Sequence, residues 1–94
     1  MTIESITKFC EAEKMSANEC LKISFQKRNT VYGLLVQAYD YNDLKAKNFW
    51  RIVTSKNIPA WRKNKDLEVA KIFNGSEITR LSVVTDQEAA AAAL

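Results

Sequence analysis

The chain has 94 residues, of which 47% are hydrophobic, 10% aromatic and 27% charged, and its net charge is +3 at neutral pH. This length and composition predict one globular domain with a modest core and exclude a disordered chain. The sequence contains no histidine, which excludes His-based catalytic triads, Cys–His dyads and most zinc or iron sites. No apolar stretch approaches the roughly 18 residues of a membrane span, so we expect a cytoplasmic protein that does not interact with membranes.

The first part of the chain is predicted to be helical. Apolar residues recur at the spacing of one helix face over residues 3–14, which is typical of an amphipathic helix. Residues 16–19 read Ser-Ala-Asn-Glu and match a capping box, in which the serine and glutamate side chains each accept a hydrogen bond from the other residue's amide. The helical segment is therefore predicted to cover residues 3–21, as two short helices or as one helix with a corner.

The two cysteines, Cys10 and Cys20, are too few for a disulfide-stapled secreted scaffold. Their nine intervening residues fit neither a zinc site nor a redox motif. We expect buried free thiols, with a disulfide or a reactive thiol as the alternative, and no cofactor.

Alternation of apolar and polar residues begins near Lys22 and predicts a β-rich segment over residues 22–84. Gly33 inside the long second strand predicts a bulge, a bend or a close backbone approach. The five predicted strands cover residues 22–26, 31–41, 49–54, 69–73 and 78–84.

The connections between these strands are predicted from their turn residues. Residues 55–67 are predicted to be a polar loop, and Asn74-Gly75 a hairpin turn in which both positions have positive φ. A helix after Ser76 is the alternative to the last strand, although its β-branched residues favour the strand. The alanine-rich residues 86–94 are expected to be a tail, in part a cloning remnant, outside a single domain of residues 1–85.

The predicted fold is α+β or mainly β: an N-terminal helical part followed by a five-stranded antiparallel sheet that forms a small SH3-like or Sm-like barrel. Residues 31–40, Val-Tyr-Gly-Leu-Leu-Val-Gln-Ala-Tyr-Asp, are similar to the first motif of the Sm-like and Hfq family. Residues 72–81, Ile-Phe-Asn-Gly-Ser-Glu-Ile-Thr-Arg-Leu, resemble the second motif. The resemblance implies a small barrel, RNA binding and self-association.

The carboxylates give no sign of catalysis. Asp40 with Asp43, and Asp66 with Glu68, are close enough in sequence to pair as acid and base, but carboxylates in turns are normally solvated. The two glycines are isolated and form no phosphate-binding loop. We therefore predict that the protein is not an enzyme.

The basic charge is concentrated in the middle of the chain, where residues 22–71 hold eleven basic residues against four acidic ones, a surplus of seven. Aromatic residues are interleaved with these cations, a mixture suited to stacking bases and neutralising phosphates. The candidate phosphate contacts are Lys27, Arg28, Arg51, Arg62, Lys63 and Lys65, and the candidate stacking residues are Tyr39 and Trp61.

The alternative for these residues is an ordinary solvated surface with its aromatics in the core. Trp50 is predicted to face the core with Ile52, because a small barrel needs large aromatic side chains. Trp61 is equally compatible with a plug, that is, a loop side chain packed on the barrel. Alternation places Tyr39 and Tyr41 on one face with Leu35.

We predict that the protein binds single-stranded RNA or DNA through this central segment. The alternative is a protein–protein interaction or self-assembly module, in which an open barrel edge or the Trp61 segment binds a partner or another copy.

Overall fold

The structure is a computed structural model that describes residues 1–13 and 19–93. Its helices are α1 (Ile3–Ala12), α2 (Tyr41–Ala46), α3 (Ile58–Asn64) and α4 (Asp86–Ala93). Its strands are β1 (Glu19–Phe25), β2 (Val31–Leu35), β3 (Phe49–Thr54), β4 (Ala70–Asn74) and β5 (Ile78–Thr85). Short 3₁₀ turns cover Ser55–Asn57, Leu67–Val69 and Gly75–Glu77.

The five strands form one antiparallel sheet in the order β4-β3-β2-β1-β5. The longest ladder joins β1 to β5 and runs from the Glu19–Thr85 pair to the Phe25–Ile78 pair, with an irregularity between Ser24 and Phe25. The prediction of a small α+β protein with a five-stranded antiparallel sheet is confirmed.

The sheet is strongly curved, because its two edge strands are joined by only three residues, Gly75–Glu77. In a flat sheet, β4 and β5 would be four strand spacings, or about 19 Å, apart. The chain from Asn74 to Ile78 can span at most about 14 Å even when fully extended. The edges therefore curl toward each other at this end, although no ladder joins β4 to β5 among the described residues.

The larger core lies on the inner face of the curved sheet, where α1 packs against it through the buried side chain of Ile6. Trp50 and Ile52 both point into this core and are each 1% exposed, as predicted. The other buried members are Leu21, Ile23, Phe73, Ile78 and Leu81.

A smaller core lies on the outer face of the sheet, beneath α3 and α4. Its buried side chains are Cys20, Val36, Val53, Ile58 and Ala89. The alanine-rich tail predicted at 86–94 thus forms α4 over its described part, and its Ala89 is buried in this core.

Two segments predicted to be strand or loop are helical. The predicted strand 31–41 ends at Leu35, and the second half of that segment leads into α2, where the Leu44 amide donates to the Asp40 carbonyl. The predicted loop 55–67 contains α3, which begins at Ile58 with Pro59 in its first turn. Proline is favoured there because the N–H groups of a helix's first turn have no acceptor within the helix. A residue without an N–H therefore loses no hydrogen bond at this position.

The predicted Asn74-Gly75 hairpin is wrong. No glycine of the described residues has a positive φ, and Gly75 begins a 3₁₀ turn that carries the chain from β4 to the far side of β1. The Asn74 side chain accepts hydrogen bonds from the amide (3.0 Å) and the hydroxyl (2.8 Å) of Ser76. This asparagine turn stabilises the tight bend without left-handed backbone.

The N-terminal helical segment is shorter than predicted. The helix ends at Ala12, and residues 19–21, predicted to be helical, belong to β1. Apart from Glu19, the predicted capping box lies outside the described residues. The alternation of buried Leu21 and Ile23 with exposed Lys22 determines the strand, since a helix would bring these apolar residues to different faces.

A bulge, a bend and a close backbone approach were the three predicted explanations for a glycine at position 33. The structure has the close backbone approach. A Cβ at this position would lie 2.3 Å from the Val53 carbonyl oxygen of the neighbouring strand.

Candidate nucleic-acid interface

The eight predicted contact residues fall into three groups. Lys27 and Arg28 lie in the turn after β1, Tyr39 precedes α2 near Arg51 of β3, and Trp61, Arg62 and Lys63 lie on α3 with Lys65 as its C-cap.

Tyr39 and Arg51 form one of these groups. Together with Asp40, which was not among the eight, they are called the Tyr39 site. Arg51 Nη2 donates to Asp40 Oδ2 at 2.9 Å, and the two side chains are 12% and 21% exposed. The guanidinium carbon of Arg51 lies 6.0 Å from the centre of the Tyr39 ring, and Tyr39 is 90% exposed. The ion pair thus holds a cation beside an aromatic ring that is open to solvent.

The second oxygen of Asp40 lies buried beneath the Tyr39 site. Asp40 Oδ1 is buried and has no hydrogen-bond partner within the described part of the chain. A buried carboxylate oxygen without a partner is unfavourable, but because this atom is covered by protein, it is not available to a ligand.

Tyr39 does not share a face with Tyr41 and Leu35, contrary to the prediction, because Tyr41 and Leu35 pack against the inner core and Tyr39 is exposed. The strand that would have aligned them ends at Leu35, so the alternation does not continue. Tyr41 lies on α2 and packs edge-on against Trp50, with ring centres 6.2 Å apart. Of the two tyrosines, only Tyr39 is solvent-exposed.

Ile72 was missed by the sequence analysis. It pairs with Arg51 across the β3–β4 ladder and is 51% exposed. Ile72 and Phe73 are neighbours of similar hydrophobicity, so periodicity alone does not tell which of the two faces the core. With Tyr39, it is one of the two large hydrophobic side chains exposed among the described residues.

The second group is the α3 group, which consists of Trp61, Arg62, Lys63 and Lys65. Trp61 is partly buried against the outer core, as a plug would be, and Lys65 Nζ lies 5.0 Å from its ring centre. Arg62 pairs with Asp86 of α4 at 3.5 Å, and both side chains are about 40% exposed. Lys63 is exposed. The group presents three cations around one partly covered indole.

The remaining group, Lys27 and Arg28, lies at the turn after β1. The guanidinium carbon of Arg28 is 5.5 Å from the ring centres of both Phe25 and Phe73. These two rings bring β1 close to β4 and belong to the inner core. Arg28 therefore lies over the inner side of the sheet, and Lys27 beside it is exposed.

Two of the three groups share the outer face of the sheet. Side chains two residues apart on a strand point to the same face, so Arg51 lies on the face of Val53, which belongs to the outer core. Trp61 packs on the same core. The Tyr39 site and the α3 group are therefore on one side of the sheet, and Arg28 is on the other.

Both cysteines are free; Cys20 is buried, as expected, whereas Cys10 is only partly buried. Their surroundings favour the thiol over the thiolate. Burial raises the pKa of Cys10, with a further contribution from Glu11. Burial also raises the pKa of Cys20, Asp86 adds to the rise, and Arg62 opposes it. Protonated thiols are poor nucleophiles and poor metal ligands.

Within residues 1–13 and 19–93, no three histidine, cysteine or acidic side chains cluster as metal ligands. No helix of these residues is long and apolar enough to cross a membrane.

Comparisons with family models, with curated proteins and with solved structures give no significant match to this chain. The evidence for function is therefore the arrangement of its own side chains.

Proposed function

We propose that this protein is a non-enzymatic, cytoplasmic module that binds single-stranded RNA or DNA on the outer face of its sheet. The base-stacking residue is Tyr39, and the phosphate contacts come from Arg51 and the α3 group. The curved sheet is proposed to be a small open barrel of the SH3-like or Sm-like kind, a proposal supported by the strand order and by the three-residue connection between the edge strands.

The observation that carries this proposal is the Tyr39 site. A ring that is 90% exposed can accept a base on its face, and such stacking contributes about 1–3 kcal/mol per base. Arg51 is already held by Asp40, so less side-chain entropy is lost when it contacts a nucleotide than for a free arginine. An exposed tyrosine beside a fixed arginine suits one nucleotide.

The cations around this site suit the adjoining phosphates. The α3 group lies on the same side of the sheet and contributes Arg62, Lys63 and Lys65. Alternation with buried Leu21 and Ile23 also places exposed Lys22 on this face. Trp61 is half-covered by the outer core, so Tyr39 is the better stacking residue of the two predicted.

The test is the salt dependence of binding to a labelled single-stranded oligonucleotide, followed by fluorescence anisotropy. Each phosphate neutralised on a single strand contributes about −0.7 to the slope of log K against log salt, so four or five contacts give a slope near −3. Lys63→Gln should flatten the slope by about 0.7. Lys8→Gln is the matched control, because Lys8 is exposed on α1, away from the outer face, and it should leave the slope unchanged.

Tyrosine variants separate stacking from charge. Tyr39→Ala should weaken binding about fivefold or more with the slope nearly intact, because stacking releases few counterions. Tyr39→Phe keeps the ring and should bind like the wild type. Absence of binding at low salt with tens of micromolar protein would overturn the proposal, as would equal binding by Tyr39→Ala.

A second candidate function is self-assembly or binding of a protein partner through the sheet edges. The observation that favours it is that β4 and β5 each have one neighbour in the sheet and no ladder to each other in the described chain. Unpaired strand edges are templates for pairing with another strand.

A further inference from the structure

A cavity of about 350 Å³ lies on the outer face of the molecule between α3 and α4. It is separate from the Tyr39 site, although it shares Arg62 with the α3 group. Its apolar walls are Ile58, Pro59, Ala89 and Ala90, and its polar lining residues are Ser55, Lys56, Arg62 and Asp86.

The cavity exists because the apolar side chains that α4 presents to it, Ala89 and Ala90 beside Asp86, are small. Ile58 and Ala89 are 4% and 2% exposed and belong to the outer core, so they form a packed apolar base. Ala90, on the same helix, lines the cavity but is exposed. A longer side chain there would fill the space, whereas alanine leaves it open. The volume is within the range of about 300–1,000 Å³ found for small-molecule sites.

The charged groups that line the cavity are predominantly positive. Lys56 and Arg62 contribute two cations, and Asp86 contributes one anion. Arg62 and Asp86 are 3.5 Å apart and well exposed, and such a pair contributes little. The Arg62 guanidinium can therefore move from Asp86 to a ligand anion at low cost.

We propose that this cavity binds a small amphipathic carboxylate, such as a medium-chain aliphatic acid. The hydrocarbon chain lies between Ile58 and the alanines of α4, and the carboxylate accepts hydrogen bonds from Arg62 and Lys56. Apolar walls with a few convergent polar groups are typical of ligand sites, and the net positive lining selects an anionic head group.

The test uses octanoate as the probe, below its critical micelle concentration, with amide chemical shifts of the full chain as the readout. Octanoate should give saturable shifts centred on residues 55–62 and 86–90. Octylammonium has a chain of the same length and the opposite charge, and it should bind at least about tenfold more weakly, since attraction by the two cations becomes repulsion.

Two alanine variants provide the structural control. Ala90→Leu fills the cavity from an exposed helix position and should abolish saturable octanoate binding. Ala91→Leu makes the same change at the next exposed residue, which does not line the cavity, and should bind as the wild type does. Leucine is a good helix former, so both variants should keep α4.

Three results would overturn the proposal: no saturable shifts with octanoate, equal affinity for octylammonium, or unchanged binding by Ala90→Leu. Arg62→Gln should weaken octanoate binding several-fold, and unchanged affinity in this variant would remove the role given to the guanidinium. Binding of oligonucleotides by Ala90→Leu is expected to be normal, so this experiment and the test of the nucleic-acid proposal can fail independently.

Discussion

Asn48 makes hydrogen bonds to three separate segments of the chain: the N-terminus, the start of β3 and the turn after β4. Its carbonyl accepts from the Gly75 amide at 2.7 Å, and its side-chain oxygen accepts from the Trp50 indole at 2.8 Å. Its side-chain nitrogen donates to the Met1 carbonyl at 3.1 Å. The residue has a φ of 60°, a backbone conformation in which asparagine is more frequent than most residues. It thus joins the start of β3 to the 3₁₀ turn between β4 and β5.

Gly75→Ala should destabilise the protein by about 2 kcal/mol, within the range for inserting atoms into a packed site. The reason is steric: an added Cβ would lie 2.2 Å from Asn48 Oδ1 and 2.6 Å from Trp50 Nε1. The φ of Gly75 is not positive, so backbone strain, the reason expected from a hairpin turn, does not apply. The measurement is the urea midpoint, and Gly75→Val should be at least as damaging.

Asn48→Gly provides the coupled variant, since glycine keeps the positive φ and removes the atom nearest the new Cβ. Gly75→Ala should cost less in that background than in the wild type, and additive effects would show that the two sites do not collide. Ser76→Ala is the neighbouring control and should change stability by at most about 1 kcal/mol, because its hydroxyl makes one exposed hydrogen bond.

At the scale of elements, local pattern predicts β3 well and α3 poorly. β3 was predicted at Phe49–Thr54 from its aromatic and β-branched content, and it has these bounds. α3 is short and rich in lysine and arginine, so it looks like a loop in the sequence. It becomes a helix because Ile58 is buried in the outer core and Trp61 packs there too. Tertiary packing of this kind is not visible in a local window.

The same limit applies to the candidate site. Residue type and charge identified Tyr39 and Arg51, but the Asp40–Arg51 ion pair that positions them joins the segment before α2 to β3. The sequence pattern predicts a turn at Asp40 and a strand at Tyr39. The exposure of Tyr39 follows from the end of β2 at Leu35, and the position of Ile72 follows from the pairing of β3 with β4; periodicity determines neither.

Lys65→Gly should leave the free energy of unfolding within about 0.5 kcal/mol of the wild-type value. Lys65 ends α3 in the left-handed conformation, with a φ of 54°, which costs roughly 1–2 kcal/mol for a residue with a Cβ. Glycine removes this cost, but it loses more conformational entropy on folding, about 0.5–1 kcal/mol. It also removes the contact of Lys65 Nζ with the Trp61 ring, which contributes about 0.5–1 kcal/mol at an exposed site. The urea midpoint measures the difference.

Lys63→Gly is the matched control within the same helix, because Lys63 lies inside α3 rather than at its end. It should cost about 1 kcal/mol, the usual penalty for glycine in a helix interior. If both glycine variants lowered the free energy of unfolding equally, this result would contradict a left-handed backbone conformation at Lys65.

For the whole molecule, the two open edges predict self-association at high protein concentration. Ile72→Lys adds a charge to the edge strand β4 and removes an exposed apolar side chain, and edge charges oppose strand pairing. This variant should shift the population toward monomer in analytical ultracentrifugation.

Glu68→Gln is the control for net charge, since it also raises the charge by one but lies in the 3₁₀ turn before β4. It should associate as the wild type does. A wild-type protein that sediments strictly as a monomer at high concentration would argue against the self-assembly function.

The ladder between β1 and β5 has a consequence for the order of events on the ribosome. β1 leaves the exit tunnel well before β5, on which its longest ladder depends. Loop closure over such a separation is slow compared with local helix or hairpin formation. Leu21 and Ile23, which are buried in the finished fold, therefore stay accessible to chaperones from the time they emerge until β5 has emerged too, and only then does the inner core close.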